Sequence, residues 1–377
     1  MKKLKVLTVI GTRPEIIKLS ATISNLDATN AIEHILVHTG QNYDYELNEI
    51  FFKDLDLRKP DHFLNVAGNN AAETIANTLM NIDPVLATES PDAILVLGDT
   101  NSSLCVIAAK KRKIPIFHME AGNRSFDQRV PEETNRKIVD CVSDINLVYS
   151  QIAREYLIRE NCPADRIINI GCPMFEVLAK HRDKYEKSGI VGELSLNKNK
   201  YFLVSSHREE NIDNSQMFEA LVHILNTIAS KYKLPIIVSC HPRTSLKFQK
   251  NKVNLNALIK LKKPFGFVDY INLQQNAAVV LSDSGTISEE SSILNFPAIN
   301  LRQSHERPEA TEEASVVMTG FNCERVLQAI SLLLGDKQSQ ENLQIVRDYN
   351  VPNVADKVVR TILSYTDYVN RNVWKVK

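Results

Sequence analysis

The chain has 377 residues, of which 44% are hydrophobic, and this length suits two domains of ordinary size. Lysine plus arginine number 45 and aspartate plus glutamate also number 45, so the formal net charge is +0. This balance, without any basic tract in the sequence, argues against a protein that binds nucleic acid.

Three further features of the sequence bear on its location. No apolar run approaches the ~18 residues that a membrane-spanning helix needs. The first residues lack the long apolar region of a signal peptide. The 6 cysteines are scattered along the chain without a CxxC pair. We therefore expect a cytoplasmic protein that does not insert into membranes.

The first half of the chain alternates short apolar runs with helical patterns, which predicts a parallel α/β domain over residues 1–180. The first predicted strand, residues 5–10, is followed by a helix from about residue 14 to residue 26. Arg13 and Lys18 come near the carboxyl end of that strand and beside the helix N-terminus, where such folds bind anions. We expect both residues to bind substrate, and the alternative is a solvated surface pair.

Three acidic residues follow later predicted elements of the same domain. Asp99 follows the strand predicted at residues 93–97, Glu120 follows the strand at 114–119, and Glu132 begins a helical pattern. Because the carboxyl ends of parallel strands share one edge, we expect the three carboxylates to converge on one cleft. Crowded carboxylates raise one another's pKa, which suits them to transfer protons near neutral pH. An acid in a first helical turn also favours the helix dipole, so Glu132 has a structural interpretation as well.

Two more polar residues accompany these acids. His118 stands between apolar neighbours in the strand that leads to Glu120, so we expect a hydrogen-bonded core residue that supports the acids. Glu133 follows Glu132 in the first helical turn, where its charge also favours the helix dipole.

A polar stretch from residue 184 to residue 200 marks the expected boundary, and a second α/β domain is predicted over residues 195–362. The remaining residues, 363–377, are expected to form a helix that packs back on the first domain. His207 and Arg208 follow the first predicted strand of the second domain. Their position leaves two interpretations equally open: a phosphate-binding or proton-transfer role, or a polar loop that caps the next helix.

Small hydroxyl-bearing residues and a glycine begin a helix after the strand predicted at residues 278–281. The backbone N–H groups around Ser284 and Gly285, together with the positive end of the helix dipole, would bind a diphosphate. Glu290, further into this helix, would accept hydrogen bonds from ribose hydroxyls. Any capped helix can show such a pattern, so the pattern alone does not establish a site.

Several cofactor signatures are absent from the sequence. No G-x-G-x-x-G follows the first predicted strand, so dinucleotide binding there is not supported. No G-x-x-x-x-G-K-[ST] motif occurs, and no group of histidine, cysteine and carboxylate residues has metal-ligand spacing. We therefore expect neither a cofactor nor a metal ion.

Seven short motifs occur in order along almost the whole chain, and together they resemble the non-hydrolysing UDP-N-acetylglucosamine 2-epimerase family. They are GTRPEIIK, GDTNS, HMEAGNR, PEETNR, SHREEN, DSGTISEE and ERPEA. The resemblance implies an α/β fold of two Rossmann-like doubly wound domains facing a central cleft, of the glycosyltransferase-B type. It also implies that the second domain binds UDP, that the first supplies acid and base, and that the enzyme is a homodimer. No nicotinamide and no obligatory metal take part in the chemistry of that family.

The family inverts C2 of the sugar by removing its proton while UDP leaves, and then adds both back to a bound glycal intermediate. The resemblance assigns proton transfer to Asp99, Glu120 and Glu132, and it assigns assistance of the leaving diphosphate to His207. The residues that it implies bind the UDP-sugar are Arg13, Lys18, Arg136, Arg208, Tyr270, Ser284, Gly285, Glu290 and Arg307. Among these, Tyr270 matches the position of the uracil contact.

The loop after Arg124, SFDQRV, looks shorter than in the branch of the family that epimerises UDP-N-acetylglucosamine. The run AGNRSFDQRVPEETNR is similar to the branch that converts UDP-2-acetamido-2,6-dideoxy-L-talose to UDP-N-acetyl-L-fucosamine for capsule and O-antigen assembly. We expect this reaction. The alternatives are a UDP-N-acetylglucosamine 2-epimerase, a glycosyltransferase of the same fold and a non-catalytic sugar-nucleotide sensor. Thr286 stands where the family often has a second glycine, which is a departure at the expected phosphate site.

Overall fold

The computed structural model describes residues 2–41, 45–206, 214–240, 244, 246–248, 253–335 and 344–376. The chain divides into two compact units. Unit 1 comprises Met1–Lys180 and Asp348–Lys377, and unit 2 comprises His181–Arg347. Within the described ranges, no helix is both long enough and apolar enough to cross a membrane.

The described part of unit 1 contains a seven-stranded parallel sheet in the order β3-β2-β1-β4-β5-β6-β7. Its strands are β1 (Leu4–Ile10), β2 (Ile32–His38), β3 (His62–Phe63), β4 (Ala93–Leu97), β5 (Ile116–Ala121), β6 (Ile145–Val148) and β7 (Ile167–Asn169). The helices around it are α1 (Arg13–Ala28), α2 (Tyr45–Asp54), α3 (Ala71–Glu89), α4 (Val106–Lys111), α5 (Pro131–Val142), α6 (Gln151–Arg159) and α7 (Met174–Lys180). The central strands are apolar runs that are buried almost throughout, because helices cover both faces of a parallel sheet.

Unit 2 repeats this architecture with a six-stranded parallel sheet among its described residues, in the order β10-β9-β8-β11-β12-β13. Its strands are β8 (Phe202–Ser205), β9 (Ile236–Ser239), β10 (Ile259–Lys262), β11 (Val279–Ser282), β12 (Ala298–Asn300) and β13 (Val317–Met318). Its helices are α8 (Arg182–Glu186), α9 (Ile190–Glu193), α10 (Ser215–Tyr232), α11 (Phe267–Asn276), α12 (Ile287–Leu294), α13 (Pro308–Glu312) and α14 (Cys323–Gly335).

Unit 2 begins earlier than the predicted start at residue 195, because the two short helices α8 and α9 pack against α11. The side-chain amide of Asn272 donates to the carbonyl oxygen of Tyr185 at 2.7 Å. The hydroxyl of Ser188 donates to the carboxylate of Asp269 at 2.6 Å. The polar composition of this stretch predicted a linker, whereas its few apolar side chains and these hydrogen bonds attach it to unit 2.

The chain returns to unit 1 at Asp348, and its C-terminal helix α15 (Val354–Val369) begins before the predicted segment 363–377. This helix packs along α1, where the side-chain amide of Asn25 donates to the carboxylate of Asp356 at 2.9 Å. The predicted domain end at residue 362 therefore falls inside a helix, whose continuous apolar stripe is buried on unit 1.

The strand order places the candidate residues of each unit at one edge of its sheet. In unit 1 the strands β1, β4 and β5 are neighbours, so the segments that follow them emerge side by side. In unit 2 the neighbours are β8, β11 and β12. The carboxyl edge of a parallel sheet is where such folds bind ligands.

Candidate functional site

The turn after β1 approaches the segment after β4 so closely that only glycine fits at position 11. A Cβ atom on Gly11 would lie 2.1 Å from the Ser102 hydroxyl oxygen and 2.2 Å from that of Thr39. The two oxygens belong to segments that follow β4 and β2, the strands on either side of β1. The glycine thus allows three strand ends to come together at the carboxyl edge of unit 1.

Glu15 lies buried in the first turn of α1, and its carboxylate holds this edge together. It accepts hydrogen bonds from the N–H groups of Gly11 and Thr12, both at 2.7 Å, and from the hydroxyl of Thr100, also at 2.7 Å. Burial raises the pKa of Glu15 from 4.5 to about 7, although these hydrogen bonds oppose the shift. Glu15 is not among the residues predicted from the sequence, although the spacing Thr12-x-x-Glu15 is typical of a capping box.

Glu120 occupies a β-bulge in β5, where the pairing with β6 shifts register between Met119 and Ala121. Its φ angle is +64°, in the left-handed region that non-glycine residues rarely adopt. Such a conformation costs on the order of 1–3 kcal/mol and is concentrated at functional sites. A bulge also redirects the side chain of its extra residue, and here it directs Glu120 toward Lys18.

Lys18 and Glu120 form a largely buried ion pair. The distance from Lys18 Nζ to Glu120 Oε2 is 2.5 Å, with side chains only 2% and 11% exposed. The ammonium also lies 5.6 Å from the centre of the Tyr149 ring, within range of a cation–π contact. Lys18 is therefore not a solvated surface residue, and both partners are fixed by their surroundings.

Asp99 is held in the same manner by a different cation. Arg136, from α5, donates to Asp99 Oδ2 at 3.0 Å through Nε and at 2.5 Å through Nη2. The side-chain amide of Asn135 donates to the Asp99 carbonyl oxygen at 3.0 Å. The N–H of Gly98 donates to the carbonyl oxygen of Met119 at 2.9 Å. Asp99 and Glu120 are the next residues after these two, so this one backbone hydrogen bond keeps the two acids close together.

The two acids of the first turn of α5 have different environments. Glu133 is fully buried and accepts hydrogen bonds from the Ser125 N–H at 3.0 Å and hydroxyl at 2.9 Å. Burial alone would raise the pKa of Glu133, but the Ser125 hydrogen bonds and the Arg136 charge outweigh it and lower the pKa. Glu133 thus anchors the loop before α5, while Glu132 is half-buried and stays the candidate for proton transfer.

The expectation of crowded carboxylates needs a correction in one respect. Asp99 and Glu120 lie at the same sheet edge, but each contacts a cation, Arg136 or Lys18. The nearest charge to each acid is therefore opposite in sign, which is not the like-charge arrangement expected from the sequence.

Arg13, in the first turn of α1, is half-buried with its guanidinium carbon 5.9 Å from the centre of the Phe51 ring.

A buried polar network lies behind these two pairs. His118 is completely buried, with Nε2 2.9 Å from the Gly98 carbonyl oxygen and Nδ1 2.9 Å from Asp140 Oδ1. Arg124 forms ion pairs with two carboxylates: its Nη1 lies 2.7 Å from Asp140 Oδ2, and its Nη2 lies 2.5 Å from Glu160 Oε2. Burial would lower the pKa of Arg124, but the two carboxylates outweigh burial and raise it. The location of His118 agrees with a supporting role, whereas no sequence signal indicated Asp140.

In unit 2, residues 282–286 form a compact turn between β11 and α12. The Ser284 N–H donates to the Ser282 hydroxyl at 3.0 Å, and the Ser284 and Thr286 hydroxyls lie 3.0 Å apart. A Cβ atom on Gly285 would lie 2.7 Å from both Arg307 Nη1 and Glu306 Oε1. Ser284, Gly285 and Arg307 are thus brought together by the fold.

Side chains of neighbouring elements surround this turn. Arg307 is buried between Glu289, at 2.8 Å, and Glu306, at 2.5 Å. Glu290 accepts a hydrogen bond from the Gln274 amide at 2.6 Å. Burial, and then the nearby Glu290 charge, raise the pKa of the Tyr270 phenol well above its usual value.

Two of the predicted residues, His207 and Arg208, lie outside the described residues. In the part of the chain that the structure describes, no three histidine, cysteine or carboxylate side chains are grouped so as to hold a metal ion.

Comparisons with known proteins identify a family that this chain resembles in sequence and in structure. The family model for UDP-N-acetylglucosamine 2-epimerase matches residues 24–363. The solved UDP-N-acetylglucosamine 2-epimerase from Rickettsia bellii is 48% identical, with a TM-score of 0.91 over 99% of this chain and 100% of that one. The UDP-GlcNAc 2-epimerase of Methanocaldococcus jannaschii, solved in complex with UDP-GlcNAc and UDP, is 35% identical, with a TM-score of 0.89 over 96% and 100% of the two chains.

A more distant relative acts on a different sugar. It is the UDP-2,3-diacetamido-2,3-dideoxy-D-glucuronate 2-epimerase of Pseudomonas aeruginosa, 32% identical over 91% of this chain and 95% of that protein. The structural likenesses also confirm the predicted fold class, two parallel-sheet α/β domains of the glycosyltransferase-B type.

Proposed function

The chain belongs to the non-hydrolysing UDP-N-acetylglucosamine 2-epimerase family and is a UDP-sugar 2-epimerase, and we propose that its substrate is UDP-2-acetamido-2,6-dideoxy-L-talose. Inversion at C2 of this sugar gives UDP-N-acetyl-L-fucosamine, a building block for capsule and O-antigen assembly. The support for this substrate is the short run AGNRSFDQRVPEETNR, which ends in α5 and is similar to that branch of the family. The family resemblance further suggests that the enzyme is a homodimer.

The reaction requires a proton to leave C2 and a proton to return on the opposite face. A base takes the C2 proton, the C–H electron pair forms a C1–C2 double bond, and the C1–O bond breaks so that UDP leaves. Return of the proton to the other face of C2, with UDP again bonded to C1, completes the inversion. Two proton-transfer groups, fixed in position, are the minimum for this sequence.

The observation that supports this chemistry most strongly is the pair of ion pairs at the carboxyl edge of unit 1. Lys18 holds the Glu120 carboxylate in one orientation, and Arg136 holds the Asp99 carboxylate. Both of these cations are buried. We assign proton transfer at C2 to Glu120 and Asp99, with Glu132 as a further proton-transfer group. The strained backbone of Glu120 fits this assignment, because strain is retained where function requires an unusual direction of a side chain.

Unit 2 would bind UDP through its own carboxyl edge. The N-terminus of α12 and the Ser284–Gly285 turn would offer N–H and hydroxyl donors to the diphosphate, with Arg307 supplying positive charge. Tyr270 would contact the uracil and Glu290 the ribose. From the resemblance, His207 would assist the leaving diphosphate, and Arg13 and Arg208 would bind the substrate.

A second candidate substrate is UDP-N-acetylglucosamine, with UDP-N-acetylmannosamine as its epimer. The names of the Rickettsia bellii and Methanocaldococcus jannaschii relatives favour it. The two candidates require the same proton-transfer groups and differ at other positions of the sugar. The geometry of Asp99 and Glu120 therefore applies equally to both.

The experiment that separates them offers each UDP-sugar to the purified enzyme in D2O and follows C2 by NMR. We expect kcat/KM for the 6-deoxy-L-talose sugar to exceed that for UDP-N-acetylglucosamine by at least about 100-fold. A preference for UDP-N-acetylglucosamine would reverse the substrate assignment without affecting the assignment of the acids. Transfer of sugar to an acceptor without deuterium at C2 would instead indicate a glycosyltransferase.

A further inference from the structure

One buried carboxylate, Asp140, contacts the chain on both sides of the Glu120 bulge. Asp140 Oδ1 lies 2.9 Å from Nδ1 of His118, which is two residues before Glu120. The N–H of Gly122, two residues after Glu120, donates to both oxygens of Asp140 at 3.2 Å. Arg124 Nη1 donates to Asp140 Oδ2 at 2.7 Å. These contacts bracket the residue whose backbone is strained.

Asp140 belongs to α5, the helix that also fixes the other acid pair. Arg136, one turn earlier on this helix, contacts Asp99. Residues four apart lie on one face of a helix, so a single face of α5 reaches the ends of both β4 and β5. His118 connects the same two strands through its contact with the Gly98 carbonyl oxygen at 2.9 Å.

Asp140 is placed to act through Glu120 rather than on a substrate. Its side chain is 2% exposed, and its two oxygens face His118, Gly122 and Arg124. Arg124 is itself buried, and its guanidinium continues to Glu160 at 2.8 Å and 2.5 Å. A carboxylate enclosed in this way has no path to a sugar carbon, but its charge can hold a strained backbone in place.

We propose that Asp140 is a positioning residue that maintains the Glu120 bulge and so keeps the Glu120 carboxylate against Lys18. This inference rests on the proposed role of Glu120 in proton transfer. Without the Asp140 charge, the left-handed conformation of Glu120 relaxes and its carboxylate moves away from the position that proton transfer at C2 requires. The groups that bind UDP are in unit 2 and do not change.

The test is Asp140→Asn, which keeps the shape of the side chain but replaces one acceptor oxygen with a donor. We expect kcat to fall about 100-fold, the effect of a displacement of about 1 Å in a reacting group. KM and the affinity for UDP should change by less than about twofold. Adding Asp140→Asn to Glu120→Gln should lower the residual rate no further, since Asp140 acts through Glu120.

Asp144→Asn is the matched control. Asp144 is also a buried carboxylate, and it accepts from Lys110 Nζ at 2.5 Å and the Ile116 N–H at 3.0 Å. It holds the amino end of β5, so its loss should lower the free energy of unfolding while leaving kcat of the folded enzyme unchanged. Equal losses of kcat in the two variants would reduce Asp140 to a general structural role and overturn the proposal.

Two further results would also overturn it: a wild-type kcat in folded Asp140→Asn, or additive losses in the double variant. If Asp140→Asn yields no folded protein, Arg124→Lys removes one contact to Asp140 and should lower kcat about tenfold at unchanged KM. An unchanged kcat there would count against the proposal in the same way. Failure of the proposed role of Glu120 is distinguishable, because Glu120→Gln alone would then keep the wild-type rate of C2 exchange.

Discussion

The carboxyl edges of the two sheets share one architecture but carry different chemistry. In unit 1, pairs that are 102 residues apart, Lys18 and Glu120, and 37 apart, Asp99 and Arg136, meet as ion pairs. In unit 2, the N–H and hydroxyl of Ser284 bond to Ser282 and Thr286, each only 2 residues away. A diphosphate can be bound by one turn and its helix, whereas moving a proton requires carboxylates fixed by several elements.

The largest expected effect comes from removing an acid of unit 1. Glu120→Gln and Asp99→Asn should each lower C2 exchange about 1,000-fold, because general acid–base groups contribute on this scale. The affinity for UDP, measured by calorimetry, should stay within about threefold of wild type, since we assign UDP binding to unit 2. Glu33→Gln is the control, because Glu33 pairs with Lys5 at 3.2 Å at the amino end of the same sheet.

A wild-type rate of C2 exchange in both acid variants would contradict the assignment of proton transfer to unit 1, because its acids would then have no catalytic part. A loss of UDP affinity that parallels the loss of exchange would contradict the division of function between the two sheet edges, because the acids of unit 1 would then also take part in UDP binding. A normal rate in Glu33→Gln excludes a general effect of losing one lysine–carboxylate pair.

A smaller effect is expected in unit 2. Gly285→Ala places a Cβ atom 2.7 Å from Arg307 Nη1 and Glu306 Oε1, and both side chains are buried and ion-paired. Their displacement should weaken UDP binding about tenfold, or about 1.4 kcal/mol, with little change in kcat at saturating substrate. Gly192→Ala is the matched control, because beyond its own helix backbone and chain neighbours nothing lies within 4 Å of the Cβ position there. Equal UDP affinity in the two variants would remove the Ser284 turn from the proposed binding site.

The last prediction concerns Glu15, and its effect appears in stability rather than in rate or affinity. Its pKa is about 7 in the folded chain instead of 4.5, so the folded state binds this proton more tightly than the unfolded state. The resulting stabilisation is complete below about pH 4.5 and is lost as the pH rises through 7. Glu15→Gln, which mimics the protonated acid, should therefore gain on the order of 3 kcal/mol relative to wild type between pH 4.5 and pH 8.

Urea unfolding of wild type and Glu15→Gln at a series of pH values measures this difference. Two stability profiles that stay parallel from pH 4.5 to pH 8 would contradict a Glu15 carboxyl that titrates near neutrality. A difference that develops within that window would show that the unit 1 edge contains a further carboxyl that titrates near neutrality, beside the two ion pairs.

The strands that form the centre of each sheet could be predicted from the sequence, and the edge strands could not. The run at residues 93–97 has the predicted bounds, and the strands predicted at 5–10 and 278–281 differ from the observed ones by one residue, because these runs are apolar and largely buried. The edge strands β3, β7, β10 and β13 are 2 to 4 residues long and carry exposed or polar side chains. Their pairing is decided by the neighbouring strand and not by their own pattern.

The candidate site shows the same division between local and distant information. The residues that follow strands, such as Asp99 and Ser284, could be predicted because position in the fold selects them. The partners Lys18 and Arg136 were singled out, but their pairing with Glu120 and Asp99 depends on strand order and the bulge. Asp140 could not be predicted from the sequence. It contacts His118 and Gly122, and its importance comes from the left-handed backbone of Glu120, which lies between them.

In the proposed mechanism the C2 proton and UDP leave together, after which a proton returns to the opposite face of C2 and UDP bonds again to C1. It is tested most directly with a UDP-sugar carrying 18O between C1 and the β-phosphorus, incubated with wild-type enzyme in D2O. We expect deuterium at C2 in both epimers and 18O redistributed to the non-bridging positions of the β-phosphate. Epimerisation that leaves C2 free of deuterium, or the 18O in the bridge, would contradict it.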